Sequence, residues 1–235
     1  MKLKVIKKIT PRKNHIVGID EAGRGPVIGP LVVAGVVARK SIIKQFIELG
    51  VRDSKTLSRE KRVLLFDKIV SLSDGVVVVY VDPKTVDRWV QKKGLNVLEA
   101  NAMAKIIKLF GYAEKFIIDT PSSIEKFREY LGRYLDLDKI NLVLEQKADK
   151  KYPIVSAASI IAKVLRDFEI QKIIDKIGID FGSGYPSDPK TMRELDRILK
   201  QSPEIVRKSW KTTKKIANKT LDEYLGEATQ EANDS

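Results

Sequence analysis

Residues 16–31 read IVGIDEAGRGPVIGPL. An apolar run ends in two adjacent carboxylates, Asp20 and Glu21, and the chain then enters a loop with three glycines and two prolines. A buried strand disfavours unpaired charge, and two adjacent acids directly after one follow no helix-capping pattern. The next residues, LVVAGVVA at 31–38, form a second apolar run, and VVVVYV at 76–81 is the clearest strand in the chain. KFIID (115–119) and INLVLE (140–145) supply two more. Helical patterning falls between and after them, at 58–72, 95–110, 122–135 and 154–177. Pro121, Ser122 and Glu125 match a capping box at the start of the third. Past Tyr185 the chain turns helical again. This order predicts an α/β fold, a mixed sheet flanked by helices with a small helical C-terminal part. The predicted boundaries are a main domain over 1–185, the helical part over 186–225 and a tail over 226–235.

Composition narrows the class. The chain has 235 residues and no cysteine, which excludes disulfides and thiolate metal sites. No apolar run approaches the ~20 residues of a membrane helix, and the basic start MKLKVIKKITPRK lacks the apolar core of a signal peptide. A cytoplasmic, monomeric protein with no membrane contact is the expectation. The formal charge is +13, from 44 Lys and Arg against 31 Asp and Glu. A Lys- and Glu-rich surface suited to high temperature accounts for the charged fraction but not for its sign. A polyanionic partner accounts for the sign. The stretch 201–219 adds to this, with six basic residues against one acid.

Two further acids share a topology with the Asp20–Glu21 pair. Asp119 closes the strand KFIID, and Asp149 lies after the last strand and just before a helix. Neighbouring strand ends of an α/β sheet converge on one edge, where ligand crevices lie. Carboxylates gathered there repel one another unless cations bridge them. Oxygen ligands without Cys, and with a single histidine that precedes the strand and reads as a surface residue, suit Mg²⁺ or Mn²⁺. Two such ions about 4 Å apart serve phosphodiester hydrolysis. Taken singly, Asp119 has a second reading as a helix cap and Asp149 as a solvated surface acid.

Beyond the acids themselves, GIDEAGRGPVIGPLVVAGV resembles the opening signature of the type 2 ribonucleases H, specifically ribonuclease HII. DSKTLS (53–58), KADKKYPIVSAASIIAKVLRD (147–167) and GSGYPSDP (182–189) resemble its other blocks in the family's order, and GSGYPSDP with RKSWKT is similar to the archaeal branch. The segment IDTPSS departs locally from the family's small-residue pattern. The resemblance implies a ribonuclease H-like catalytic domain and an endonuclease acting on RNA/DNA hybrids and on duplex DNA containing ribonucleotides. It implies a cut on the 5′ side of the ribonucleotide, leaving a 3′-hydroxyl and a 5′-phosphate. It assigns catalysis and metal binding to Asp20, Glu21, Asp119 and Asp149. A replication-clamp contact is not readable from the sequence.

A ribonucleotide-specific nuclease must detect a 2′-hydroxyl, which donates and accepts hydrogen bonds. Gly23, Arg24 and Gly25 offer backbone groups with no Cβ at two of three positions, and Arg24 adds a cation for phosphate. The loop lacks the Gly-Lys-Ser/Thr ending of a nucleotide-binding P-loop. The resemblance implies that Tyr185 stacks on the sugar after the ribonucleotide, in place of a core role. Ser156, Ser159, Lys163 and Arg166, spaced 3, 4 and 3 apart, form one polar helix stripe expected to meet phosphate rather than bulk water. Lys55, Arg207, Lys208 and Lys211 are further phosphate candidates, against the alternative of a solvated basic face. Two rival functions stand beside this one: a non-catalytic basic nucleic-acid-binding module, which leaves the acids unexplained, and another metal-dependent nuclease of ribonuclease H-like fold, which lacks the sugar-sensing loop.

Overall fold

The structure, a computed structural model, describes residues 1–8, 13–51, 57–92 and 94–218. Six strands form one sheet: β1 (Lys2–Lys7), β2 (His15–Ala22), β3 (Leu31–Arg39), β4 (Gly75–Val81), β5 (Lys115–Asp119) and β6 (Leu142–Glu145), in the order β1-β4-β3-β2-β5-β6. β1, β4, β3 and β2 pair antiparallel, whereas β2, β5 and β6 run parallel. The carboxyl ends of those three parallel strands therefore share one edge. The flanking helices are α1 (Lys40–Glu48), α2 (Arg59–Leu72), α3 (Pro83–Lys92), α4 (Leu95–Leu109), α5 (Ile124–Gly132), α6 (Ala148–Lys151), α7 (Pro153–Ile177) and α8 (Pro189–Gln201). The mixed sheet with helices on both faces is the architecture that the sequence predicts.

Strand alternation sorts the side chains into two layers. Val17, Ile19, Val33, Val77 and Val79 pack on one face with Leu98, Met103 and Ile106 of α4 and Phe127 of α5. Val32, Ala34, Val36, Val76 and Val78 pack on the other with Phe46 of α1, Leu65 and Ile69 of α2, and Ile154 to Val164 of α7. β2, β3 and β4 lie between two helical layers, which is why they read as continuous apolar runs. A third cluster joins Val27 and Ile28 of the glycine-rich loop to Ile170, Phe181, Leu195, Ile198 and Val206. The loop after Asp20–Glu21 is thus anchored in the core of the C-terminal part. Among the described residues no helix is long and apolar enough to cross a membrane.

Several local expectations change. The basic start is in part a strand: β1 pairs with β4 at the sheet edge, leaving Leu3 and Val5 40% and 42% exposed. Lysines alternate with those apolar residues, so the segment reads as a charge run although it has a strand's period. β2 extends through both acids to Ala22, so they lie within the strand and not directly after it. His15 opens β2 and is buried, 3.5 Å from Asp74, and is not a surface residue. The capping box is absent: Ser123 is the N-cap of α5, and Ser122 Oγ is buried without a partner among the described residues. The predicted tail and everything after residue 218 lie outside the described residues.

Candidate active site

The parallel pairing of β2 with β5 sets Ile19 against Ile118, which brings Asp20 and Asp119 side by side at the carboxyl end of the sheet. Both belong to the alternation that faces α7, as Ala22 and Ile117 do. Asp149 is delivered from beyond β6 by the short helix α6. Carboxylate oxygens of Asp20, Asp119 and Asp149 all lie within 4.8 Å of one another. Backbone groups fix this grouping: Glu21 N–H donates to Asp20 Oδ1 at 2.7 Å, and Ala148 N–H donates to Asp119 Oδ1 at 3.0 Å. Asp119 therefore caps a helix, but the helix is α6 and not the one that follows it in sequence. Lys147 enters α6 with φ 59°, the only positive φ of a non-glycine among the described residues. A left-handed lysine costs about 1 kcal/mol, and it turns the chain so that Asp149 faces the strand ends.

Glu21 follows the opposite alternation and faces α4. There it meets a residue that sequence reasoning misses. Glu99 of α4 is fully buried and forms an ion pair with Arg24, whose guanidinium also donates to Asn96 Oδ1 at 2.6 Å. Arg24 is thus held by α4 in an ion pair at the rim of the site, with its side chain 35% exposed. Burial pushes the Glu99 carboxyl up to about 7 against the opposing pull of Arg24. Burial, followed by the charges of Asp20, Glu99 and Asp119, pushes Glu21 well above its ordinary range. Burial likewise raises Asp20 to about 6; Lys163 lowers it and Asp119 raises it. Glu21 Oε2 and Glu99 Oε1 are both buried with no hydrogen-bond partner among the described residues.

Three of the four residues of the polar stripe on α7 are buried, and only Lys163 is part-exposed. Ser156 and Ser159 are fully buried, so Ser156 is no surface contact for phosphate. Lys163 donates to Ser159 Oγ at 2.6 Å, and Ser159 in turn bonds Asp20. This chain links the first acid to a cation at the cleft. Arg166 is also buried; it donates to Ser183 O at 2.8 Å and lies 4.7 Å from the Tyr185 ring centroid. Its predicted phosphate contact becomes a brace for the Tyr185 turn. Tyr185 is half-buried, and an ideal Cβ on Gly25 would sit 3.8 Å from its ring edge. Gly23, by contrast, has φ +87°, and a Cβ there would lie 2.6 Å from Pro30 O.

Arg207 is fully buried, with its guanidinium bonded to loop carbonyls, so its predicted phosphate contact is also corrected. Lys208 and Lys211 are exposed, Lys211 in a helical stretch that covers 211–218. Lys55 lies outside the described residues.

The donor set fits a hard divalent cation. Oxygens bound to one Mg²⁺ at 2.0–2.1 Å can be no more than ~4.2 Å apart, close to the spacing of the aspartate trio. A site with buried acids raised by burial and mutual repulsion, and an orphaned carboxylate oxygen on Glu21, is short of positive charge.

The family model described as Ribonuclease HII matches residues 17–213, which leaves β1 outside the match. The chain is 43% identical over 204 residues to the ribonuclease HII of Pyrococcus furiosus, covering 85% of this chain and 89% of that protein. Its fold is similar to the crystal structure of ribonuclease H2 from Pyrococcus horikoshii OT3, with TM-score 0.78, 40% identity and coverage of 87% and 98% of the two chains. It is similar too to the RNase HII in the PCNA:RNase HII complex from Archaeoglobus fulgidus, with TM-score 0.74, 40% identity and coverage of 88% and 99%. Bst-RNase HIII, solved in complex with Mn²⁺, matches with TM-score 0.73 at 25% identity, over 88% of this chain and 70% of that one.

Proposed function

The chain belongs to the ribonuclease HII family of metal-dependent endoribonucleases, and on that footing we propose that it cuts a DNA strand on the 5′ side of an embedded ribonucleotide, and the RNA strand of RNA/DNA hybrids, leaving a 3′-hydroxyl and a 5′-phosphate. The observation that carries this reading is the convergence of Asp20, Asp119 and Asp149 beside a loop whose Gly25 faces Tyr185 with no side chain between. Asp20, Asp119 and Asp149, with Glu21 behind them, would hold Mg²⁺ or Mn²⁺. When bound, the metal supplies activation of the attacking water and neutralisation of charge at the phosphodiester.

The protein's own groups do the rest. Lys163, tied to Asp20 through Ser159, sets a cation at the mouth of the acid cluster, where a scissile phosphate needs one. The backbone of Gly23 to Gly25 receives the ribose, because only bare Cα atoms let the main chain approach a 2′-hydroxyl. Tyr185, held from behind by Arg166, offers a ring face to the following sugar. The likeness to the Archaeoglobus fulgidus protein supports extending a PCNA-type clamp partner to this chain.

The direct test incubates the protein and Mg²⁺ with a DNA duplex carrying one ribonucleotide. The expected product is a single nick 5′ of that nucleotide, with an all-DNA control left intact. Cutting of the control would favour an unspecialised nuclease, and an uncut substrate a binding module.

Duplex affinity is expected to rest partly on Lys208, Lys211, Lys214 and Lys215, all of them exposed. Changing all four to Gln should flatten the plot of log K against log salt by about 0.9 for each phosphate that is no longer neutralised. An unchanged slope across a salt series would show this face to be merely solvated.

A further inference from the structure

The glycine-rich loop is held from beneath by the segment 205–210, which lies more than 170 residues downstream in the chain. Ile28 and Val206 form an antiparallel bridge, Gly29 N–H donates to Ile205 O at 2.9 Å, and Arg207 N–H donates to Val27 O at 2.8 Å. From that frame the Arg207 guanidinium reaches under the loop. Nη2 donates to Gly23 O at 2.6 Å and to Gly29 O at 3.0 Å, Nη1 donates to Arg24 O at 3.0 Å, and Nε donates to Gly29 O at 3.1 Å. Trp210 Nε1–H donates to Gly25 O at 3.2 Å, and its ring stacks with the guanidinium at 5.0 Å. The carbonyls of all three residues of the Gly23–Arg24–Gly25 loop are therefore occupied by two side chains of one short segment. Asp87 of α3 in turn holds that segment, accepting from Lys208 N–H at 2.8 Å and Ser209 N–H at 2.9 Å.

A fully buried arginine is costly to keep in a core. Core packing is better served by an apolar side chain of the same volume, so the fork geometry needs its own explanation. A loop of small residues has many accessible backbone states, and fixing one takes bonds from outside it. Because the peptide unit is planar and trans, tying the carbonyls of Gly23 and Arg24 to Arg207 turns the N–H groups of Arg24 and Gly25 to the opposite side.

We propose that Arg207 and Trp210 are positioning residues for sugar recognition, clamping the carbonyls of Gly23, Arg24 and Gly25 so that the other edge of this backbone stays presented to a ribonucleotide. The inference rests on the proposed ribonucleotide-cutting activity, and neither residue need touch the substrate. A 1 Å misplacement of a positioned group can cost ~10²-fold in rate, so the clamp should act on the chemical step more than on duplex affinity.

The test uses the full chain with two substitutions. Trp210→Phe keeps a ring over the guanidinium and removes one donor; Arg207→Lys keeps a charge and removes the fork. Each is measured for melting temperature, for affinity to the duplex with one ribonucleotide in Ca²⁺, and for single-turnover nicking of the same duplex in Mg²⁺. Nicking is expected to fall about tenfold in Trp210→Phe, and up to about 10²-fold in Arg207→Lys, with duplex affinity within about twofold of wild type. If Trp210→Phe lowers only the melting temperature and its folded fraction nicks at the wild-type rate, the clamp is structural and the proposal fails. If affinity falls as far as rate, the segment binds duplex directly and the proposal also fails. Failure of the wild type to nick at all would instead overturn the activity on which the inference rests.

Discussion

Asp20→Asn is expected to lower nicking by about 10³-fold or more, the equivalent of ~4 kcal/mol of transition-state stabilisation, and at the same time to raise the melting temperature of the metal-free protein. The two effects have one cause. The Asp20 carboxyl is pushed up to about 6 from 3.8, chiefly by burial. Below about pH 4 the acid is neutral in folded and unfolded chains alike and imposes no penalty. As pH rises toward 6 the unfolded chain ionises freely while the folded chain must ionise a buried group, so stability is lost. Above that range the penalty levels off, on the order of 2 kcal/mol, and an amide removes it. At ~2–4 °C per kcal/mol for a chain of this length, Asp20→Asn in EDTA should melt about 4–8 °C higher at about pH 8, with the gain vanishing near pH 4. Mg²⁺ should stabilise the wild type and do so far less in the variant. Thermal melts with and without EDTA at both pH values check this. A fully active variant, or one no more stable than wild type at high pH, would remove Asp20 from the metal site.

What the sequence can reveal about this site follows from how each residue is buried. Asp20, Glu21 and Asp119 end continuous apolar runs, and a run that ends in an acid is visible without a structure. Glu99 is invisible for the opposite reason. It sits inside a helical pattern, LNVLEANAMAKIIKL, where an occasional acid reads as the solvated face, yet α4 packs so closely on the sheet that Glu99 is fully buried. Arg207 misleads in the same way, as one cation among the lysines of a basic stretch, although it alone of the described cations there turns inward. The stripe from Ser156 to Arg166 has the right helical spacing, but α7 lies between the sheet and α2, and three of its four members are buried. Periodicity identifies a face; it does not say what covers that face. β1 shows the converse, since its exposed edge position gives it the lysines of a surface loop.

Gly18→Ala is expected to damage the fold more than any other single methyl group added along the acid-bearing strand. An ideal Cβ at Gly18 would lie 2.3 Å from Ile154 O and 2.7 Å from Val155 N, both backbone atoms at the start of α7. No rotamer relieves such a contact, so the helix must lift from β2, at a cost of about 3 kcal/mol or more. That predicts a melting temperature lower by ~6–12 °C. Nicking should fall as well, because α7 carries Ser159 and Lys163, which meet Asp20 two residues along the same strand face. Gly25→Ala provides the contrast. Gly25 is not among the glycines with positive φ, and its added Cβ would meet only Tyr185, at 3.8 and 4.0 Å. The fold therefore has no need of a glycine at position 25, and the alanine variant should melt within ~1–2 °C of wild type. If the proposed ribose site is right, its nicking of a single ribonucleotide should nonetheless fall about 10²-fold, because the methyl group would occupy the space between position 25 and Tyr185. Gly18 lets a helix reach a strand, and Gly25, on the proposed reading, lets a substrate reach the loop, so the two variants should separate in opposite directions on a plot of stability against activity. Coincidence of the two on that plot would deny the sugar its place at Gly25.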